Sequence, residues 1–366
     1  MTPRLSVLPV ALVLLVVLAL GGFAAPGPGA AAPVVPTGDA PAAAAPAGTQ
    51  QLTLVRFGSP QAVSDAGVFI ARAWGYFREL GLDVETVYFQ SAPDTIPALA
   101  AGELEVAGGT FSIALLNAAE RGVGLKIVAD KGTSRPGFEF SQLAVRRDLL
   151  ESGEVRELAD LRGRRLAVAS TRSGAEALLA HILARGGVSI DEVDLAVLGY
   201  PETVVALGNR AIDGGILIEP SLSAAVARGV AATWEQGRSS AAYGGAYQAG
   251  VLILSGRFAA QPDLARRFLL GYLRGVRVYN DAFVKGEGRA EVVRVLTEQT
   301  VVRDPAVYDR MQMAGLDPDG RLARQSLQME LDYFRQRGYY TGALTLDDIL
   351  DTSFAEYAAQ QLGPYR

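Results

Sequence analysis

From Gln51 onward the sequence switches between two periods, and that alternation limits the fold more than any other feature. "QLTLVRFG" alternates apolar and polar residues as a strand does, and "SPQAVSD" interrupts it. Phe69, Ile70, Ala73, Trp74 and Phe77 then mark one helix face, stopped at Gly81. "LDVETVYF", "LEVAGGT" and "LKIVAD" read as further strands, with "DTIPALAAG" and "SIALLNAAERG" as helices between them. Strand, helix, strand in steady succession predicts βα units on a mostly parallel sheet.

The series starts again at Leu166. "LAVASTRSGAEALLAHIL" opens as a buried strand and closes as a helix. It is followed by "DLAVLGY", "ETVVALGN", "IDGGILIEP", "SLSAAVARG" and "AATWEQG". "ALAAGELEVAGG" and "ALGNRAIDGGI" echo each other at matching places, which suggests two lobes of similar build. After the strand "VLILSG" the pattern is helical: Pro262–Val284, Arg289–Gln299, Pro305–Met313, Leu322–Arg337 and Leu346–Leu362 all space their apolar residues as amphipathic helices. Such helices would clothe the first sheet. "SQLAVRR" and "YQAGVLIL" are then the two crossings between lobes, near Leu143 and Val251, and two crossings make a hinge over a cleft.

Composition removes other classes. The 366 residues carry a net charge of −5 without a long basic run, so the footprint of a nucleic-acid binder is missing. There is no cysteine, which excludes disulfides, thiolate metal sites and cysteine nucleophiles. The single histidine, His181, lies within a helix pattern and reads as a packing residue. No metal site or cofactor is expected. Residues 1–25, with Arg4, an apolar run from Leu5 to Leu20 and the start of "GGFAAPG", have the parts of an export signal, with an uncleaved membrane anchor as the rival reading. Residues 26–50, nearly all Ala, Pro and Gly to Gly48, read as a spacer.

"WGYFRELGLDVE" resembles the signature of ABC-transporter solute-binding proteins of the nitrate, sulfonate and taurine group, which includes the thiamine-precursor binding proteins. "ALAAGELEVAGGT", "LADLRGRRLAVAS", "ALGNRAIDGGILIEP" and "ELDYFRQRGYYTGALTLDDILDTSF" match that family in the same order. The resemblance implies a two-lobed α/β periplasmic-binding-protein fold of type II, with residues 51–143 and 247–366 as lobe 1 and 144–246 as lobe 2. It implies a monomer that captures a small solute outside the cytoplasm and delivers it to an ABC permease, without catalysis. A sensory module feeding a membrane receptor and an enzyme on the same fold are the alternatives. Relatives that make the thiamine pyrimidine themselves use a histidine and clustered cysteines, a pattern this chain lacks.

Ligands of open α/β sheets sit beyond the carboxyl ends of the strands, which points to four loops. In "GSPQAVSD", Ser59 and Gln61 are candidate contacts, with Asp65 a helix cap. In "GGTFSIA", Gly108 and Gly109 allow close approach, Thr110 and Ser112 are ligand donors or caps, and Phe111 is pocket wall or core. In the hydroxyl turn, Thr171, Ser173 and Gly174 are candidates for holding an anion at a helix start, with Arg172 either a contact or solvated. Ser173 and Glu176 also have capping-box spacing. In "LIEPS", Glu219 would pair with an amine if it faces the cleft, and Tyr200 and Tyr243 are ring walls or packing residues. An anion-friendly turn facing an acid favours a zwitterionic or aminated solute.

Overall fold

The computed structural model describes residues 51–366; the expected export signal or anchor and its spacer lie outside the described residues. Ten strands form two five-stranded sheets. The first contains β1 (Thr53–Ser59), β2 (Leu82–Tyr88), β3 (Val106–Gly109), β4 (Lys126–Ser134) and, from far along the chain, β10 (Tyr247–Leu254). Its order is β2-β1-β3-β10-β4. The second contains β5 (Ser141–Arg146), β6 (Arg165–Val168), β7 (Asp194–Val197), β8 (Gly214–Ile218) and β9 (Ala231–Ala232), in the order β7-β6-β8-β5-β9.

The two sheets repeat one plan. In each, three parallel strands are followed by an antiparallel strand that the chain enters after crossing from the other lobe: β10 beside β3, and β5 beside β8. The echoing segments of the sequence lead into β3 and β8, which hold equivalent places. Leu143 lies inside β5, which pairs wholly within the second sheet, so the crossing falls between Ser134 and Ser141 rather than at Leu143.

The helices are set by burial. On lobe 1 the eight-residue helices α1 (Ala66–Ala73) and α2 (Ile113–Glu120) flank shorter ones at Tyr76–Glu79 and Thr95–Ala101, and the second lobe's main helix is α3 (Gly174–Ala184). Leu178, Leu179, Ile182 and Leu183 of α3 are all buried, as an apolar helix between layers must be. In the C-terminal region α4 (Pro262–Asn280) and α5 (Arg289–Gln299) lie against α1. Two more helices follow, α6 (Arg324–Gln336) and α7 (Ser353–Leu362).

The helix face read from Phe69 to Phe77 divides at Gly75 (φ 76°), whose left-handed backbone ends α1 at Ala73 and starts a short helical turn, Tyr76–Glu79. Two predicted C-terminal helices are broken as well. Within Pro305–Met313 only a 3-10 turn, Pro305–Asp309, forms, and the chain then extends so that Gly315 pairs with Thr133 of β4. Leu346–Leu362 splits into Leu346–Ile349 and α7, because Leu350 pairs with Ile127 and the Asp351 N–H donates to the Ile127 carbonyl at 2.9 Å. Both breaks cover the outer edge of β4, which would otherwise present unpaired backbone.

One apolar core runs through both lobes. It includes Ala107 and Phe111 of lobe 1, Leu166 and Leu178 of lobe 2, and Leu327, Leu331 and Phe334 of α6. Helix α6 therefore packs on both lobes, not on lobe 1 alone. The two crossings are also joined: Glu139, on the link from β4 to β5, accepts from the Ser239 hydroxyl at 3.2 Å and from the Ser240 hydroxyl and N–H on the return segment.

Candidate functional site

The strand ends of lobe 1 converge on a buried ion pair. Asp65 and Lys131 are 0% and 2% exposed and meet at 2.7 Å. Ser59, at the end of β1, donates its hydroxyl to Asp65 at 2.6 Å and accepts the Gln61 N–H at 2.9 Å. Asp65 is thus no helix cap; its side chain makes no cap bond, because Lys131 and Ser59 claim it. Gly108 makes room for the pair, since a Cβ there would stand 2.4 Å from an Asp65 oxygen. Gln61 has a left-handed backbone (φ 56°) and its carbonyl accepts from the Val301 N–H, which ties it to the end of α5. Nothing about Lys131 marked it as buried beforehand, because a lone lysine in a strand ordinarily reaches solvent.

The next loop faces the second lobe. Thr110 is half-buried, while Phe111 is buried and stacks on Phe334 of α6 with centroids 6.0 Å apart. Ser112 caps α2 by accepting the Leu115 N–H. It also pairs, backbone to backbone, with Ser173 of the hydroxyl turn. This bridge brings two of the four candidate loops together across the lobes.

The hydroxyl turn differs from its predicted capping box. Ser173 is buried and donates to the Ser170 carbonyl at 2.8 Å, without capping α3. Glu176 accepts instead from the Arg172 N–H at 2.8 Å and the Tyr333 hydroxyl at 2.7 Å. The left-handed backbone of Arg172 (φ 54°) turns the chain so that its N–H, not that of Ser173, reaches Glu176. The Arg172 guanidinium lies over the Tyr339 ring, and Thr171 is exposed.

Behind the turn lies a cluster of buried polar groups. Tyr243 and Tyr247 pack with ring centroids 4.9 Å apart, and His181 sits edge-on to Tyr243 at 5.0 Å. A Cβ on Gly174 would stand 3.0 Å from a Glu330 oxygen and 3.1 Å from the Tyr247 hydroxyl, so both reach the first residue of α3. Burial pushes the Glu330 carboxyl well above the usual carboxylate range, and it lowers His181 below its ordinary value. Tyr200, half-buried, is pushed up to about 12 by the same cause. Among the expected residues, Gly174 and Tyr243 belong here, while Tyr200 packs against the lobe 2 core around Val204 and Leu207. Glu330, Tyr247 and Tyr333 were not foreseen, because at helical or strand spacing they look like ordinary packing or surface residues.

Glu219 is already engaged. It is 7% exposed, accepts the Ser223 hydroxyl and N–H at 2.9 and 3.0 Å, and accepts the Gln312 N–H from the C-terminal region at 3.0 Å. Burial raises its pKa while those three bonds oppose the rise. It holds the first turn of the short helix Ser221–Ala227 through Ser223 and bridges to the segment beside β4, with Ser64 and Phe140 nearby.

Two similarly built α/β lobes, joined by two crossings and facing each other through strand-end loops, define a periplasmic-binding-protein architecture. The chain belongs to the NMT1/THI5-like family, whose description fits residues 63–281, more than half of the chain. It is similar in fold to the alkanesulfonate-binding protein SsuA from Xanthomonas axonopodis pv. citri bound to MOPS, at 20% identity and a TM-score of 0.64, covering 82% of this chain and 99% of that one. The periplasmic nitrate-binding protein NrtA from Synechocystis is similar at 15% identity and a TM-score of 0.65, covering 85% and 89%. The desulfurization enzyme DSZB is similar at 15% identity and a TM-score of 0.59, covering 85% and 100%. At these identities the likeness establishes the fold alone. Among curated protein sequences, none matches this chain.

Proposed function

We propose that this chain is the extracytoplasmic solute-binding component of an ABC importer, capturing a small organic solute between its lobes and handing it to a permease. The observation that carries the reading is the meeting of the Gly108–Ser112 loop with the Ser170–Gly174 turn across the two lobes, within this family and fold. Sulfonate-like, taurine-like, nitrate-like and thiamine-pyrimidine-like solutes are the classes to try, since two of the similar structures are named for alkanesulfonate and nitrate binding. Ser59, Gln61, Gly109, Thr110, Phe111, Thr171, Ser173, Gly174, Tyr200, Glu219 and Tyr243 remain the proposed lining, with Ser59 and Glu219 acting through the groups they hold. The fold also carries an enzyme. Against catalysis here stand a sequence without cysteine and a single histidine that is packed among tyrosine rings.

A thermal-shift screen of sulfonates, taurine, nitrate, aromatic carboxylates and pyrimidines tests the proposal. Ligand at a hundred times its Kd adds about 2.7 kcal/mol to stability, a readily measured shift. A compound that is consumed rather than bound would move the protein to the enzyme class.

A further inference from the structure

The start of α3 already holds an acid. Glu330 is 1% exposed, neither of its oxygens has a hydrogen-bond partner among the described residues, and one of them lies 3.0 Å from the position of a Cβ on Gly174. That is where the free N–H groups and the dipole of an eleven-residue helix would hold an anionic ligand. Two further groups of the cluster are buried without partners: the Tyr243 hydroxyl and Nε2 of His181. A buried acid left without a hydrogen-bond partner is costly, and proteins keep such groups where function needs them. The arginines near the turn are committed elsewhere, Arg172 to the Tyr339 ring and Arg337 to Asp191.

We propose that Glu330, with Tyr243 and Tyr247 beside it, is the counter-charge for a cationic amine or amidinium group on the solute. Resting on the solute-capture reading, this gives that site a ligand sign. An anion placed against the same helix start would meet Glu330, and Glu176 in the same first turn. A cation would satisfy the orphan carboxylate, donate to it, and lie against electron-rich rings. Opening of the lobes at the Ser112–Ser173 bridge would admit it.

The test is calorimetric titration of the full chain with benzamidine and butylamine, and with ethanesulfonate and nitrate as anionic comparators. A cationic probe should bind, the anions should not, and Glu330→Gln should weaken the cation at least tenfold. Glu330→Leu should abolish that binding while raising the melting temperature of the ligand-free chain, which a merely structural glutamate would not do. If either Glu330 variant fails to fold, Tyr243→Phe, which removes one orphan hydroxyl, should still weaken the cationic probe. Ethanesulfonate or nitrate binding equally to wild type and Glu330→Gln would overturn the proposal and leave solute capture standing. Binding of no probe of either sign would also overturn it, and the wider screen would then decide capture separately.

Discussion

At the scale of the residue, the pairings that matter were made by partners far apart in the chain. Asp65 and Lys131 form a buried pair whose removal from one side strands a charge. Asp65→Ala should therefore cost about 3–5 kcal/mol in chemical denaturation. A loss below about 1 kcal/mol, the level of an exposed pair, would show that Lys131 escapes to solvent. Ser173 gives a smaller number. Its hydroxyl holds the Ser170 carbonyl rather than capping α3, so Ser173→Ala should cost about 1 kcal/mol. Ser173→Gly should cost at least as much, since there is no cap for glycine to preserve. Equal stability of the glycine variant and wild type would restore the capping box. The candidate loops were legible in the sequence because small polar residues after buried strands leave a recognisable signature. Lys131 and Glu330 were not, because the residue type alone predicts solvent and only tertiary burial reverses it.

At the scale of the element, helices α1 and α4 cross in close backbone contact at Gly67 and Gly275. A Cβ on Gly275 would stand 2.1 Å from the Gly67 carbonyl oxygen, and one on Gly67 would stand 2.5 Å from the Tyr272 ring. Gly275→Ala gains about 1 kcal/mol of helix propensity. Forcing the helices apart costs roughly 1–3 kcal/mol or more, so the steric term should win and melting should fall. A stabilised variant would mean that the pair can slide apart freely. The helix and strand periods of β1, β6, α1 and α5 were readable from local spacing. The breaks at Arg310 and Leu350 were not, because there the backbone leaves an adequate helix pattern to cover the edge of β4. Such a choice is made by the sheet and cannot be seen from the segment.

At the scale of the whole molecule, pH and lobe motion are linked to burial. Glu330, Asp130 and Glu219 all have carboxyl pKa values raised mainly by burial. A carboxyl raised in the folded state binds its proton more tightly there than in the unfolded chain. The stability it confers is full below the unfolded value and is lost as pH rises through the folded one. Melting temperature of the ligand-free chain should fall over that window, and Glu330→Gln should flatten the slope; an unchanged slope would mean that Glu330 is not the group titrating. Exposed contacts such as Arg337 with Asp191 at 2.5 Å also join the end of α6 to lobe 2. Arg337→Ala should shift the open-to-closed ratio by no more than about fivefold, the reach of a surface pair of up to ~1 kcal/mol. Solution scattering would register a larger shift as expansion, which would make that pair the main latch. Glu139 sets how such motion can proceed. Two separate straps between rigid bodies permit both folding and twisting, but here one carboxylate ties the straps into a single narrow flexure. Lobes joined in this way should turn like pages about one spine, so relaxation measurements in solution should find one exchange process, and two distinct ones would show that the straps move independently.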